Sequence, residues 1–295
     1  MSGPEVSIVI VSWNVRDLLV SCLTSIQRFV QTPYEVLVVD NHSSDGTVEA
    51  LQRDFPNVKI IVNAENAGFA RANNQGWEQA QGRYICFLNP DTECINDPFP
   101  VVVEYFQNNP KVGCVGPEIL NPNRTHQQSV RRFPGFLDQL LVLLKIPGAL
   151  SWLYLTSLYR VVPPLAKYFT DSSAMLNKPT SVDQVMGAVM IIPRTVMEDA
   201  GTFDEGYWIW FEEVDLCRRL HQRGYAVVYL PTAKVVHHGG QSFNQHLSLA
   251  KHVWLLKSLA RYTRKFWSPV PRYALYVIMP ISYILTVLQS FFKPR

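Results

Sequence analysis

The sequence predicts an α/β fold, a mostly parallel sheet flanked by helices, followed by C-terminal membrane-associated helices. Three observations predict it. Apolar runs alternate with amphipathic helical patterns from Val6 to Leu88, the signature of strands joined by right-handed helical crossovers. Two of those runs, residues 34–39 and 83–88, have an acid at or just past their ends, Asp40 and Asp91. Open α/β sheets bind their ligands outside the carboxyl ends of the strands. Finally, residues 273–292 carry no charge, and a stretch of about 20 apolar residues is long enough to cross a bilayer.

The elements follow in order. Residues 6–11 (Val-Ser-Ile-Val-Ile-Val) form an apolar run suited to a strand buried on both faces. Asn14 can cap the next helix, in which Leu18, Leu19, Cys22, Leu23 and Ile26 share one face. Residues 34–39 give the second strand and 41–46 a polar turn. Val48, Leu51 and Phe55 mark another helix, and residues 58–62 a third strand. A helix over 70–80 and a strand over 84–88 complete the alternation. Beyond Asp91, Asp97 and Pro98 open a helix, residues 112–115 form a short strand, and 121–132 read as a polar, basic loop. Strands are expected over 185–192, 225–230 and 234–236. A helix over 212–223 ends at Gly224.

Composition narrows the function classes. A hydrophobic fraction of 47% supports a buried core, and a net charge of +3 with pI near 8.5 provides no concentrated basic face for nucleic acid. The five cysteines, Cys22, Cys86, Cys94, Cys114 and Cys217, lack CxxC spacing and read as free thiols of a reducing compartment. The leader before Val6 is acidic and does not resemble a signal peptide, so the cytoplasm is the expected compartment. Leu137, Leu140, Leu141 and Leu144 recur at helical spacing before a Trp/Tyr/Leu-rich run at 152–155. Arg261, Arg264, Lys265 and Arg272 precede the 273–292 segment, and Lys293 and Arg295 follow it. A basic tail outside runs against the positive-inside tendency, and Pro280 would bend a spanning helix. The pattern favours helices that lie in, or dip into, the cytoplasmic face of the membrane. The competing expectation is a helix packed on the domain or on a dimer partner.

Five constellations carry chemistry. Asp40, at a strand end, could accept the imide N–H of a uracil or thymine ring, while Asp45 and Gly46 read as ordinary turn residues. Residues 66–74 place Asn66 and Gly68 at a helix start, where backbone N–H groups favour phosphate, with Arg71 as a nearby cation that could equally face solvent. Asn89-Pro90-Asp91 projects a carboxylate from a stiff turn, suiting Mg²⁺ or Mn²⁺ held partly by substrate phosphates. Glu212, Glu213 and Asp215 follow the aromatic residues Tyr207, Trp208, Trp210 and Phe211. They suit a helix N-terminus, and an aromatic wall would also raise a carboxyl pKa toward that of a general base. His237, at a strand end, could complete the shell begun by Asp91, with His238 the lesser candidate.

Residues 7–14 (Ser-Ile-Val-Ile-Val-Ser-Trp-Asn), the Asp40-Asn41…Ser44-Asp45-Gly46 turn, Asn66-Ala67-Gly68-Phe69-Ala70, Leu88-Asn89-Pro90-Asp91 and Phe211-Glu212-Glu213-Val214-Asp215-Leu216 occur in that order. Together they resemble family 2 glycosyltransferases of the GT-A fold, close to the bacterial rhamnosyltransferase-like branch, over residues 5–245. The resemblance implies a nucleotide-sugar-binding half over 1–120 and an acceptor-binding and catalytic half over 121–245, with a hydrophobic insertion near 136–169. A membrane-associated region over 246–295 follows. It implies that Asp40 contacts the base of a UDP- or TDP-sugar, with Asn14, Asn66, Gly68, Arg71 and Asn89 as further nucleotide-binding residues. Asp91 would hold the divalent cation, joined by His237. Where the family carries Glu-Asp this chain carries Glu212-Glu213, so Glu213 inherits the role of base, with Glu212 the alternative. Asn89 stands where many relatives carry a first aspartate. The implied reaction is inverting transfer to a polyprenyl-linked saccharide in cell-envelope synthesis. Two rivals remain: a catalytically silent sugar-nucleotide-binding membrane scaffold, and a nucleotidyltransferase. The second would want a glycine-rich basic loop where Ser12-Trp13-Asn14-Val15-Arg16 stands.

Overall fold

The computed structural model describes residues 3–146, 176–239 and 248–292. The chain divides into two compact units, Met1–Arg132 with Ser172–Gln245, and Phe133–Asp171 with His246–Arg295.

The first unit opens with the predicted alternation: β1 (Val6–Ser12), α1 (Arg16–Phe29), β2 (Tyr34–Asp40), α2 (Thr47–Asp54), β3 (Lys59–Val62), α3 (Phe69–Gln79) and β4 (Tyr84–Leu88). These strands pair in parallel in the order β3-β2-β1-β4. Every residue of β1 is buried, as an unbroken apolar run requires of a strand covered on both faces. Leu19, Cys22, Leu23 and Ile26 turn the apolar face of α1 into the core.

Asn14 is not the cap of α1. That position falls to Val15, which makes no side-chain capping bond. Asn14 instead takes a positive φ of 51° and accepts a hydrogen bond from the Ser44 N–H at 2.8 Å. The capping work is done from a distance by Asp45. One oxygen accepts the Arg16 N–H at 2.9 Å, and the other accepts the N–H and hydroxyl of Thr47 at the start of α2. A single carboxylate thus satisfies orphan donors of two helices.

After β4 come β5 (Thr92–Cys94), α4 (Phe99–Asn108), β6 (Val112–Leu120), β7 (His126–Gln127), β8 (Val130–Arg131), β9 (Thr180–Val182), β10 (Gln184–Val185), β11 (Val189–Pro193), α6 (Arg194–Ala200), α7 (Glu212–Gln222) and β12 (Ala226–His237), with α5 (Phe136–Leu143) belonging to the second unit. The sheet continues β4-β11-β6-β12-β5. β11 runs antiparallel to both β4 and β6, so the sheet is mixed, parallel in its first half. The predicted 185–192 strand is split at Gly187 between β10 and β11, and the predicted 225–230 and 234–236 strands are one strand with a register shift between Leu230 and Lys234. The expected 121–132 loop carries the short strands β7 and β8.

The second unit comprises α5, α8 (Ser248–Phe266) and α9 (Pro269–Phe292), within the described residues. Leu275, Ser282 and Thr286 of α9 are buried, whereas Val270, Tyr273, Val277, Ile281, Ile284 and Leu288 are exposed. Ser282 and Thr286 thus face inward beside Leu275, while the exposed face is largely apolar, unlike the polar outer face of a helix on a water-soluble core. The Tyr276 hydroxyl donates to the Ala260 carbonyl at 2.9 Å, and the Ser282 hydroxyl lies 3.2 Å from His252 Nε2. Over Pro269–Ser290 the mean hydropathy is 1.4, long and apolar enough to cross a membrane. The Trp/Tyr/Leu-rich run at 152–155 lies outside the described residues.

Candidate active site

The carboxyl ends of β1 and β2 form the first part of the crevice. Ser12 and Asp40 are register partners, which sets their side chains on one face of the sheet. Both are fully buried, and both leave an oxygen without a hydrogen-bond partner: Ser12 Oγ and Asp40 Oδ1. The other Asp40 oxygen accepts the Ser43 N–H at 2.9 Å. Unsatisfied buried polar atoms are rare and costly in a native protein, so this hydroxyl and carboxylate are suited to receive a polar ligand. Asn14 and His42, with φ of 51° and 67°, flank them. Strained backbone of this sort concentrates at functional sites. Ser12 is a residue the sequence reading did not single out, because a serine ending an apolar strand carries no signal of its own.

Asn41 ties the next loop to β2. Its amide nitrogen donates to the Gly68 carbonyl, and its oxygen accepts from Asn63 Nδ2 and the Ala67 N–H. Asn66 accepts the Gly68 N–H at 3.0 Å, and the Phe69 N–H goes to the Trp208 carbonyl at 2.9 Å. Gly68 has a φ of 84°, and a Cβ there would stand 2.7 Å from the Trp208 carbonyl oxygen. That glycine therefore lets the start of α3 close onto the aromatic segment. Arg71 is exposed on α3.

Asp91 and His237 come together through strand pairing. β5 follows Asp91 and runs antiparallel to the end of β12, with Thr92 opposite His237, and the His238 N–H donates to the Asp91 carbonyl at 2.9 Å. Asp91 Oδ1 then lies 3.2 Å from His237 Nε2, with both side chains almost wholly buried. His237 Nε2 makes no directed hydrogen bond. A carboxylate oxygen and a ring nitrogen lone pair at that separation repel unless a proton or a cation lies between them. One carboxylate and one imidazole suit a divalent cation that takes its other ligands from phosphate and water. No cluster of three or more His, Cys, Asp or Glu side chains able to hold a metal occurs among the described residues. The cation would therefore depend on the substrate. His238 pairs instead with Glu93 at 2.9 Å.

The acids Glu212 and Glu213 open α7 behind two consecutive aromatic residues with positive φ, Trp210 at 61° and Phe211 at 71°. Burial pushes the Glu212 carboxyl well above its ordinary range, and the neighbouring Glu213 charge pushes it further. Burial also raises Glu213, but backbone N–H groups at the helix start and the Arg131 guanidinium pull it back. Glu212 is thus the more strongly raised of the two, and Glu213 the one whose charged form has compensating partners, a division of the kind that separates acid from base partners. Asp215 belongs to the scaffold. It is buried, pairs with Arg219 at 2.7 Å and accepts from the Tyr207 hydroxyl at 3.2 Å. Arg219 in turn donates to the carbonyls of Ala200, Gly201 and Thr202.

Two links join these parts. Gly187 lies against the Glu213 side chain, and the adjacent Ala188 carbonyl accepts the Asn89 N–H at 2.8 Å. Because β11 runs antiparallel to β4, its first residues start at the end of the sheet where Asn89 and Asp91 lie. Asn74 of α3, whose role the sequence did not disclose, accepts the Phe203 N–H and donates to the Phe203 carbonyl and to Glu205. It anchors the segment that leads to the acids. Among the described residues, Asp40, the Asp91–His237 pair and Glu213 thus share one rim of the sheet, while Gly240-Gln241-Ser242 after His238 lies outside those residues.

This architecture has counterparts among known proteins. It matches the solved mannosyltransferase of Pyrobaculum calidifontis, in complex with GDP-Man and Mn²⁺, with a TM-score of 0.56 at 17% identity, covering 100% of this chain and 77% of that one. It matches GalNAc-T7 with UDP, GalNAc and Mn²⁺ at 0.56 and 16% identity, covering 80% of this chain and 44% of that one. In sequence, the N-acetylglucosaminyl-diphospho-decaprenol L-rhamnosyltransferase of Mycobacterium tuberculosis is 26% identical over 246 residues, 80% of this chain and 76% of the relative. The rhamnosyltransferase WbbL of Escherichia coli is 24% identical over 267 residues, 87% and 92% of the two chains. The model of the Glycosyl transferase family 2 matches residues 7–178. With that match over more than half its length, on a GT-A-type fold, the chain belongs to glycosyl transferase family 2.

Proposed function

We propose that the protein is an inverting, cation-dependent glycosyltransferase of cell-envelope polysaccharide synthesis. It moves a rhamnose-like hexose from a nucleoside diphosphate to a hydroxyl of a polyprenyl-linked saccharide at the cytoplasmic face of the membrane. The observation that carries this reading is the meeting of the Asp91–His237 pair and Glu213 on one rim, joined through Asn89, Ala188 and Gly187.

The donor lies over the first half, residues 1–120. Asp40 accepts the imide N–H of a UDP or TDP base, and the Ser12 hydroxyl donates to a ring carbonyl. Asn14, Asn66 and Gly68 shape the bordering loops, and Asn89 and Arg71 meet the diphosphate. Asp91 and His237 hold Mg²⁺ or Mn²⁺, which when bound offsets the charge that develops on the departing diphosphate. The acceptor lies over residues 121–245. Glu213 takes the proton of the acceptor hydroxyl as its oxygen bonds to the anomeric carbon. The bond from that carbon to the diphosphate breaks on the opposite face, through an oxocarbenium-like transition state. Burial favours the neutral form of Glu212, which limits the negative charge set beside the diphosphate.

The lipid-linked acceptor is supported by the outward apolar face of α9 in the region 246–295 and by a relative whose name specifies a decaprenol-linked substrate. The test is a panel of UDP-, TDP- and GDP-sugars with polyprenyl-linked saccharides, with the product's anomeric configuration read by NMR. Transfer from one donor with inversion is expected. Retention of configuration would contradict the single-displacement role of Glu213, and tight nucleotide binding without turnover throughout would favour a silent scaffold.

A further inference from the structure

A hydrogen-bond chain behind His237 determines which of its ring nitrogens faces Asp91. Asn121 starts it. Its amide nitrogen donates to the His126 carbonyl at 3.1 Å and to the Thr125 hydroxyl at 3.0 Å, which leaves its oxygen toward Gln127. Gln127 Nε2 donates to that oxygen at 3.0 Å and, more weakly, to the His237 carbonyl at 3.4 Å. With its nitrogen so committed, the Gln127 amide can present only its oxygen to His237 Nδ1, 2.7 Å away. A carbonyl oxygen accepts and cannot donate, so Nδ1 must carry the ring hydrogen. In the neutral ring Nε2 is then the lone-pair atom, and it is the atom placed 3.2 Å from Asp91 Oδ1. The short strand β7 exists in the right register for this, with Gln127 opposite Ile119 on β6.

We propose that Gln127, oriented by Asn121, is a positioning residue that locks His237 in the Nδ1–H tautomer and so keeps Nε2 available to a divalent cation shared with Asp91. The proposal rests on the cation-site reading above and specifies how this chain prepares it. An acceptor behind a ligating histidine fixes ring orientation and raises basicity, and its loss typically costs about 10- to 100-fold in metal affinity.

The test begins on the full, metal-free protein. Two-bond ¹H–¹⁵N spectra of histidine-labelled wild type, about two pH units above the ordinary imidazole pKa, report which nitrogen of each ring bears hydrogen. His237 is assigned from a His237→Gln spectrum. The expected result is hydrogen on Nδ1, and a ring with hydrogen on Nε2 but none on Nδ1 would overturn the proposal without recourse to any variant. Mn²⁺ affinity in the presence of UDP or TDP is then measured by electron paramagnetic resonance. Gln127→Leu should lose about 10- to 100-fold, whereas Gln127→Glu, which restores an acceptor at the same place, should recover it. Wild-type affinity in Gln127→Leu, or equal loss in Gln127→Glu, would contradict the positioning role. An Nδ1–H ring in a wild type that binds no Mn²⁺ would sink the cation site itself, a separate failure from that of the tautomer.

Discussion

Glu212 and Glu213 are neighbours in sequence with different electrostatic company. Replacing Glu213 by Gln should lower kcat by about 10²- to 10⁴-fold, the usual contribution of a general base, with little change in donor KM. If Glu212→Gln alone has that effect, the base has been misassigned. Because burial raises the Glu213 carboxyl, the acid limb of the kcat profile should lie above the ordinary glutamate range. The same physics makes Glu212 a stability sensor. A carboxyl raised in the folded state contributes stability that is fully present below its unfolded value of 4.5 and is lost as pH rises through the folded one. Glu212→Gln removes that loss, so its Tm advantage over wild type should grow as pH increases above the unfolded value, as scanning calorimetry would detect. A constant difference across pH would mean that Glu212 is not raised. The acids Asp40 and Asp91 were legible in the sequence because each lies just past an apolar strand. Asn41, Asn74 and Gln127 were not, since they act through partners far along the chain, such as Phe203 for Asn74, and Ser12 was not, since a serine that ends an apolar strand carries no signal of its own.

At the level of elements, local pattern disclosed what forms but not which way it runs. The apolar run of β11 reads the same in either direction, and only its pairing with β4 shows that it returns antiparallel. Likewise Pro231 and Thr232 made β12 look like two strands, whereas the chain carries its register through an irregularity between Leu230 and Lys234, a place where a sheet tolerates proline. Asn14 looked like a cap because it precedes a helix, and Asp45, distant in sequence, took that work. The segment before α7 is held by Asn74 and contains the two αL aromatic residues. Asn74→Ala would leave the buried Phe203 backbone groups unpaired, an effect of about 1–3 kcal/mol. It should lower both denaturant stability and kcat. Unchanged kcat at reduced stability would show that the tether does not position the acids.

Across the whole molecule, the uncharged 273–292 segment announced the apolar helix α9, while the inward placement of Ser282 and Thr286 could not be read without its packing. The exposed face of α9, with Val277 and Ile284 at its centre, should bind lipid, aided by the flanking basic residues and weakened by salt. Val277→Asp with Ile284→Asp should sharply reduce co-sedimentation with anionic vesicles, and undiminished co-sedimentation would assign that face to a protein contact. The chemistry proposed for the whole molecule is sugar transfer that depends on a cation held at Asp91. Its most direct test is nucleoside diphosphate release by purified protein, with a polyprenyl-linked saccharide present and a chelator added, then Mn²⁺ or Mg²⁺ restored. Release from one sugar nucleotide is expected to stop with the chelator, return with the cation, and be absent in folded Asp91→Ala protein. Release that persists under chelation, or in Asp91→Ala, would contradict that dependence.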